Sequence, residues 1–156
     1  MKFLCDQMLA KLSRWLRAAG YDTELETSQT VDAKILARAL QEHRLLLTRD
    51  RHFLEIPEEK DQVLYLHANS FPECVQVLSK FVHIDWLYKP FSRCLLRNGL
   101  LREITDPLPL SNLPTQFAMR EKKFWICDHC KKIYWEGSHT HHMYDQLHKW
   151  NKGQFF

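Results

Sequence analysis

Apolar residues in the first half of the chain follow two rhythms: short solid runs, and stripes at helical spacing. Lys2-Phe3-Leu4-Cys5 is a short run that leads directly into Met8, Leu9, Leu12, Trp15, Leu16 and Ala19, which share one face of a helix. Asp6 stands at the N-cap position of that helix and Gly20 at the residue that would end it. Tyr21 to Leu25 predicts a second strand, and Thr27 to Thr30 a turn. Ile35, Leu36, Ala39 and Leu40 form the stripe of a second helix that ends near His43. Leu45-Leu46-Leu47 is solid enough for a central parallel strand buried on both faces, and Thr48-Arg49-Asp50 closes it. A short helical turn is expected from Arg51 to Leu54, a polar loop from Pro57 to Asp61, and a fourth strand from Val63 to Leu66. A further helix runs from Phe71 to Phe81, with Cys74, Val75, Leu78 and Phe81 as its stripe. Strand and helix therefore alternate as in βαβ units, which predicts an α/β fold with an open, largely parallel sheet and flanking helices.

After residue 84 the pattern changes. Asp85 to Phe91 is an aromatic-rich linker that should pack against something. Ser92 to Ile104 contains Asn98-Gly99, a hairpin signal between two short strands. Asp106 to Pro114 holds three prolines and is expected to be irregular. Phe124 to Cys127 and Ile133 to Trp135 flank a second hairpin at Cys127-x-x-Cys130, and a last helix is expected from Gly137-Ser138-His139 through Trp150. The expected division is a domain at 1–84 and a small β-hairpin domain with a C-terminal helix at 85–156.

Composition narrows the class. The chain has 156 residues, 45% hydrophobic and 12% aromatic, which suits a folded protein with a real core. No apolar run approaches the roughly 20 residues that span a bilayer. Asp6 and Lys11 interrupt any signal-peptide core, so a cytoplasmic protein without a membrane partner is expected. Charge is uneven: residues 1–84 hold eleven Lys and Arg against twelve Asp and Glu, and residues 85–156 hold eleven against seven. The second half is the better partner for a polyanion.

In an open parallel sheet, chemistry sits beyond the carboxyl ends of the strands, where Asp6 and Asp50 both fall. Asp32 stands at the start of the second helix. Three carboxylates brought together would repel unless a cation joined them, and hard divalent ions take oxygen ligands of this kind. Each aspartate also has an ordinary reading, as an N-cap, a first-turn residue and a loop residue. Lys11 and Arg14, with Arg49, are placed to receive substrate phosphate.

Residues 2–54 resemble the ribonuclease domain of the Mut-seven C-terminal family, a branch of the PIN-like nucleases. The resemblance rests on Phe3-Leu4-Cys5-Asp6, on Lys11-Leu12-Ser13-Arg14-Trp15-Leu16-Arg17, on Gly20-Tyr21-Asp22-Thr23 and on Leu47-Thr48-Arg49-Asp50. It continues through Pro90-Phe91-Ser92-Arg93-Cys94, Phe124-Trp125, Tyr134-Trp135 and Gly137-Ser138-His139. It implies a PIN-like fold with a zinc-ribbon appendage, and a metal-dependent endoribonuclease in which Asp6, Asp32 and Asp50 hold Mg²⁺ or Mn²⁺. RNA, single-stranded or structured, is the implied substrate. A non-catalytic RNA- or ribosome-binding module with a vestigial acidic site is the alternative.

A zinc ribbon pairs two Cys-x-x-Cys knuckles around a tetrahedral site. Cys127 and Cys130 form one knuckle, but Cys94 is followed three residues later by Arg97, so a fourth ligand is missing. One reading closes the site with His139, His141 or His142. The other is a ribbon without metal, held by Trp86, Phe91, Trp125, Tyr134 and Trp135. Cys5 and Cys74 read as small buried hydrophobes. Lys122, Lys123, Lys131 and Lys132, with the histidines from 139 to 142, would form an RNA-contacting rim on which Trp125 or Trp135 stacks bases. The sharpest structural expectation concerns Asp6: it should turn toward Asp50 and not toward the amides of its own helix.

Overall fold

A computed structural model describes residues 1–27, 31–55, 61–105 and 123–156. Four strands, β1 (Lys2–Cys5), β2 (Asp22–Leu25), β3 (Leu45–Thr48) and β4 (Val63–Tyr65), form one parallel sheet in the order β2-β1-β3-β4. The solid apolar runs took the two central places, where both faces are covered. The chain leaves β1 toward β2 on one side and returns to β3 on the other. The reversal of strand order therefore falls between the carboxyl ends of β1 and β3.

Strand alternation sorts the core into two layers. Phe3, Cys5 and Leu47 point into a cluster with Leu12 and Leu16 of helix α1 (Ala10–Ala18) and Val75 and Leu78 of helix α3 (Phe71–Phe81). Leu4 and Leu46 point the other way, onto Ile35, Leu36 and Ala39 of helix α2 (Asp32–Gln41) and onto Phe53. The first cluster crosses position 84. It takes in Trp86 and also Met143, Leu147 and Trp150 of helix α4 (Ser138–Asn151). Trp150 meets Trp15, Trp86 and Phe71 edge-on, at ring separations of 4.7, 5.0 and 5.8 Å.

The second sheet is antiparallel, β5 (Leu101–Glu103), β6 (Phe124–Cys127) and β7 (Ile133–Trp135), in that order. Its first knuckle docks on the parallel sheet. Asn98 accepts from the Thr23 amide at 2.9 Å and donates to Asp22 and Glu24, each at 2.8 Å, along the free edge of β2. Buried Arg17 of α1 donates to the carbonyls of Thr23, Leu95 and Leu96 at 2.8–3.0 Å. The segment after Trp86 closes the C-terminus of α1: the Lys89 and Phe91 amides donate to Ala19 and Ala18. Gly20 sits here at φ +100°, and any Cβ would collide with the Lys89 carbonyl.

Three local expectations change. Met8 is exposed, not on the apolar face, because Gln7–Leu9 is a 3-10 turn whose tighter period rotates it outward before α1 begins. Phe81 is exposed as well, at the last position of α3. Asn98-Gly99 does not join two strands of a ladder. A single bridge, Arg93 to Leu100, encloses a knuckle turn, and β5 pairs instead with β6. Asn98 takes the left-handed conformation there, with φ +62°. The turn at 28–30, most of the polar loop at 57–60, the proline-rich stretch at 106–114 and Lys122 lie outside the described residues.

Candidate active site

Asp6 follows β1 at the point where strand order reverses, and it is buried. Its two oxygens have separate partners. Oδ1 accepts from the Met8 amide at 2.8 Å, capping the 3-10 turn. Oδ2 accepts from the Thr48 hydroxyl at 2.5 Å and the Arg49 amide at 2.9 Å, at the end of β3. Cap and cross-strand tie thus coexist in one carboxylate, because each uses a different oxygen. One half of the expectation is met in part and the other is overturned: the side chain reaches across to Thr48 and Arg49, in the segment that carries Asp50, but it also accepts from an amide of its own helix start, because its two oxygens can serve both.

The Thr48 hydroxyl relays this tie. It donates to Asp6 and accepts from the Asp50 amide at 2.9 Å, so the turn that carries Asp50 is held against β1. Asp50 then accepts from the His52 amide at 3.0 Å, which folds the chain back and brings the His52 imidazole within 3.7 Å of the same oxygen. Asp32, the first residue of α2, comes from the neighbouring crossover. One ligand atom each of Asp32, Asp50 and His52 lies within 4.8 Å of the other two.

The structure therefore joins two of the three expected aspartates and adds a histidine. Asp6 is not one of the three members of that group. Sequence reasoning gave His52 no role, although its place two residues after Asp50, in a turn that returns the chain, was a signal. Thr48 belongs to the Leu47-Thr48-Arg49-Asp50 motif and to the end of a strand, but neither reading gives its hydroxyl a role.

The basic candidates divide. Arg49 turns its guanidinium to the Ala68 carbonyl at 2.8 Å, bracing the segment that follows β4. Lys11 and Arg14 are exposed on α1, with the Lys11 ammonium 4.3 Å above the Phe71 ring. Arg14 makes no hydrogen bond or ion pair among the described residues.

At the ribbon, the sulfurs of Cys94, Cys127 and Cys130 lie within 4.8 Å of one another, and Cys94 and Cys130 are 3.7 Å apart. Zinc–sulfur bonds of 2.3 Å at a tetrahedral centre require sulfurs roughly 3.8 Å apart, so the Cys94–Cys130 pair has the spacing of two zinc ligands. Burial raises the affinity of the Cys94 thiol for its proton. The Tyr134 hydroxyl at 3.2 Å and the Arg97 and Leu96 amides outweigh it and hold the thiol below its ordinary range. Burial dominates at Cys127 and pushes it up, against the amides of Cys130 and His129. No histidine joins the three sulfurs among the described residues. Burial also pushes Cys5 and Cys74 up, as expected of inert core thiols.

No helix among the described residues is long and apolar enough to cross a membrane. A search of curated proteins and a search of solved structures each gave no match. One family model, described as the Mut7-C RNAse domain, matches residues 1–147, which takes in both sheets and most of α4. With the acidic group at the sheet's switch point and the cysteine cluster inside the matched span, the chain belongs to the Mut7-C RNAse domain family.

Proposed function

We propose that this protein is a metal-dependent endoribonuclease with a PIN-like catalytic unit at residues 1–84 and a zinc-ribbon appendage with its helix at 85–156. The observation that carries the reading is the meeting of Asp32, Asp50 and His52 at the carboxyl edge of the parallel sheet, in a chain of a ribonuclease family. Two carboxylates and an imidazole from two crossovers would hold Mg²⁺ or Mn²⁺, and manganese tolerates a nitrogen ligand better than magnesium does. A bound ion of this kind supplies charge stabilisation at the phosphate and lowers the pKa of water. Asp6 completes the acidic site, setting the position of Asp50 through Thr48 and adding negative potential. Lys11 and Arg14, exposed on α1, hold substrate phosphate. Arg49 braces the site through Ala68, and its remaining N–H groups are a third phosphate contact. In the ribbon, Cys94, Cys127 and Cys130 hold Zn²⁺ as a structural ion.

The engagement of both Asp6 oxygens by the chain's own donors favours a second reading, an RNA- or ribosome-binding module whose acidic site is vestigial. Incubation of the full chain with single-stranded RNA and Mn²⁺ or Mg²⁺ separates them. Internal cleavage that falls at least 100-fold in Asp50→Asn and Asp32→Asn supports the enzyme. RNA binding that survives both substitutions, with no cleavage under either ion, overturns it in favour of the binding module.

A further inference from the structure

A groove of about 1000 Å³ runs between α1, the first knuckle, the β6–β7 hairpin and the start of α4. None of Asp6, Asp32, Asp50 and His52 lines it, but its α1 wall follows directly on the 3-10 turn that Asp6 caps. Along that wall Arg14 stands about 12 Å from Asp6. Beside aliphatic residues such as Leu95, Leu96 and Met143, the lining carries two further kinds of side chain. Arg14 and Lys132 are exposed cations, and Trp15, Trp125 and Tyr134 are half-buried aromatics. Trp125 and Tyr134 are directly paired across β6 and β7, so they share one face of that sheet. Lys132 lies over the Tyr134 ring, 5.8 Å from its centre. Among the described residues, Glu136 is the single acid in the lining.

Cations that track a backbone, interleaved with rings that take bases by their faces, are what an unpaired polynucleotide needs. A duplex offers no free base faces to Trp125 and Tyr134. An apolar peptide would leave Arg14 and Lys132 without charge partners. We infer that this groove is a track for single-stranded RNA, which grips the strand on Trp125, Tyr134, Arg14 and Lys132 and leads it along α1 to the acidic site. The inference rests on the ribonuclease reading for its direction and deepens it: the ribbon is a substrate-holding part, and the preferred substrate is unpaired.

The test uses the full chain carrying Asp50→Asn, with no added divalent ion, and a labelled oligouridylate of about ten nucleotides followed by fluorescence anisotropy. Arg14→Glu and Lys132→Glu should each weaken binding by about ten-fold and flatten its salt dependence by roughly 0.7 in log–log slope for each lost phosphate contact. Trp125→Ala should weaken it at least five-fold, and Trp125→Phe should restore most of the loss. If Trp125→Ala does not fold, the two charge reversals, at exposed positions, decide the matter. Unchanged affinity in both reversals overturns the track, and so does a duplex of equal length that binds as tightly as the single strand. Cleavage by chains with intact Asp50 keeps the two readings apart. Groove-dependent binding without cleavage keeps the track and removes the nuclease. Cleavage that the groove substitutions leave untouched keeps the nuclease and removes the track.

Discussion

The Asp6 carboxylate and the Thr48 hydroxyl meet at 2.5 Å across the carboxyl ends of β1 and β3, and Thr48 in turn accepts from the Asp50 amide. One hydroxyl therefore couples a buried acid to the turn that presents Asp50 and His52. Thr48→Val keeps the shape of the side chain and removes the relay. Both Asp6 and the Asp50 amide then lose a partner, which should cost about 2–3 kcal/mol of stability in urea unfolding. Thr48→Ser should recover most of it. If Thr48→Val is as stable as the parent, the relay is not holding the site together.

The link between the first knuckle and the parallel-sheet unit can be cut at Arg17. Its buried guanidinium donates to three carbonyls, two of them in the first knuckle. Arg17→Leu leaves those oxygens without this donor, with an expected loss of about 2–4 kcal/mol. The thermal midpoint should fall, and amide exchange should quicken in residues 94–98 before it does in β1.

Trp150 tests whether α4 is part of the main core. Trp150→Ala would empty the space between Trp15, Trp86 and Phe71, at a cost of about 3–5 kcal/mol. An independent appendage would instead show a separate unfolding step, with the remaining chain melting as in the parent.

Acid should loosen the same interface. Asp22 is partly buried, which alone would raise its pKa, but hydrogen bonds from Arg44 and Asn98 outweigh burial and lower it from the ordinary 3.8. A carboxyl whose folded pKa is depressed stabilises the fold above its unfolded pKa, and that contribution is lost as pH falls through the folded value. Stability should therefore decline below about pH 4, and Asp22→Asn should flatten that acid limb while lowering stability at neutral pH. A parallel pH profile in the variant would assign the acid limb to other carboxylates.

Zinc removal gives a further reading of the ribbon. Native protein should carry about one zinc ion per chain by elemental analysis, and a zinc chelator should lower the melting temperature. Replacing Arg97 by cysteine supplies the missing fourth thiolate and should make the ion harder to strip. Zinc-free native protein that melts normally would leave the ribbon to its hydrophobic contacts.

Much of the fold was legible because its signals are local. The solid runs of β1 and β3, the stripes of α1, α2 and α3, the cap at Asp6 and the stop at Gly20 all depend on periodicity or on the backbone needs of one residue. The same alternation of strand and helix puts Asp6, Asp32 and Asp50 toward one edge of a parallel sheet before any contact is known. What it cannot set is which atoms meet there. Asp32 and Asp50 come together with His52 because the segments that leave β2 and β3 close over the same edge, and the Asp50–His52 turn is folded by a hydrogen bond with no periodicity. Asp6 is not one of that group; its second oxygen is taken by the Thr48 hydroxyl and the Arg49 amide. The docking of Asn98 on the edge of β2 and the entry of Trp150 into the main core are likewise long-range outcomes. They arise from a free strand edge and an unfilled apolar space that only the assembled chain presents.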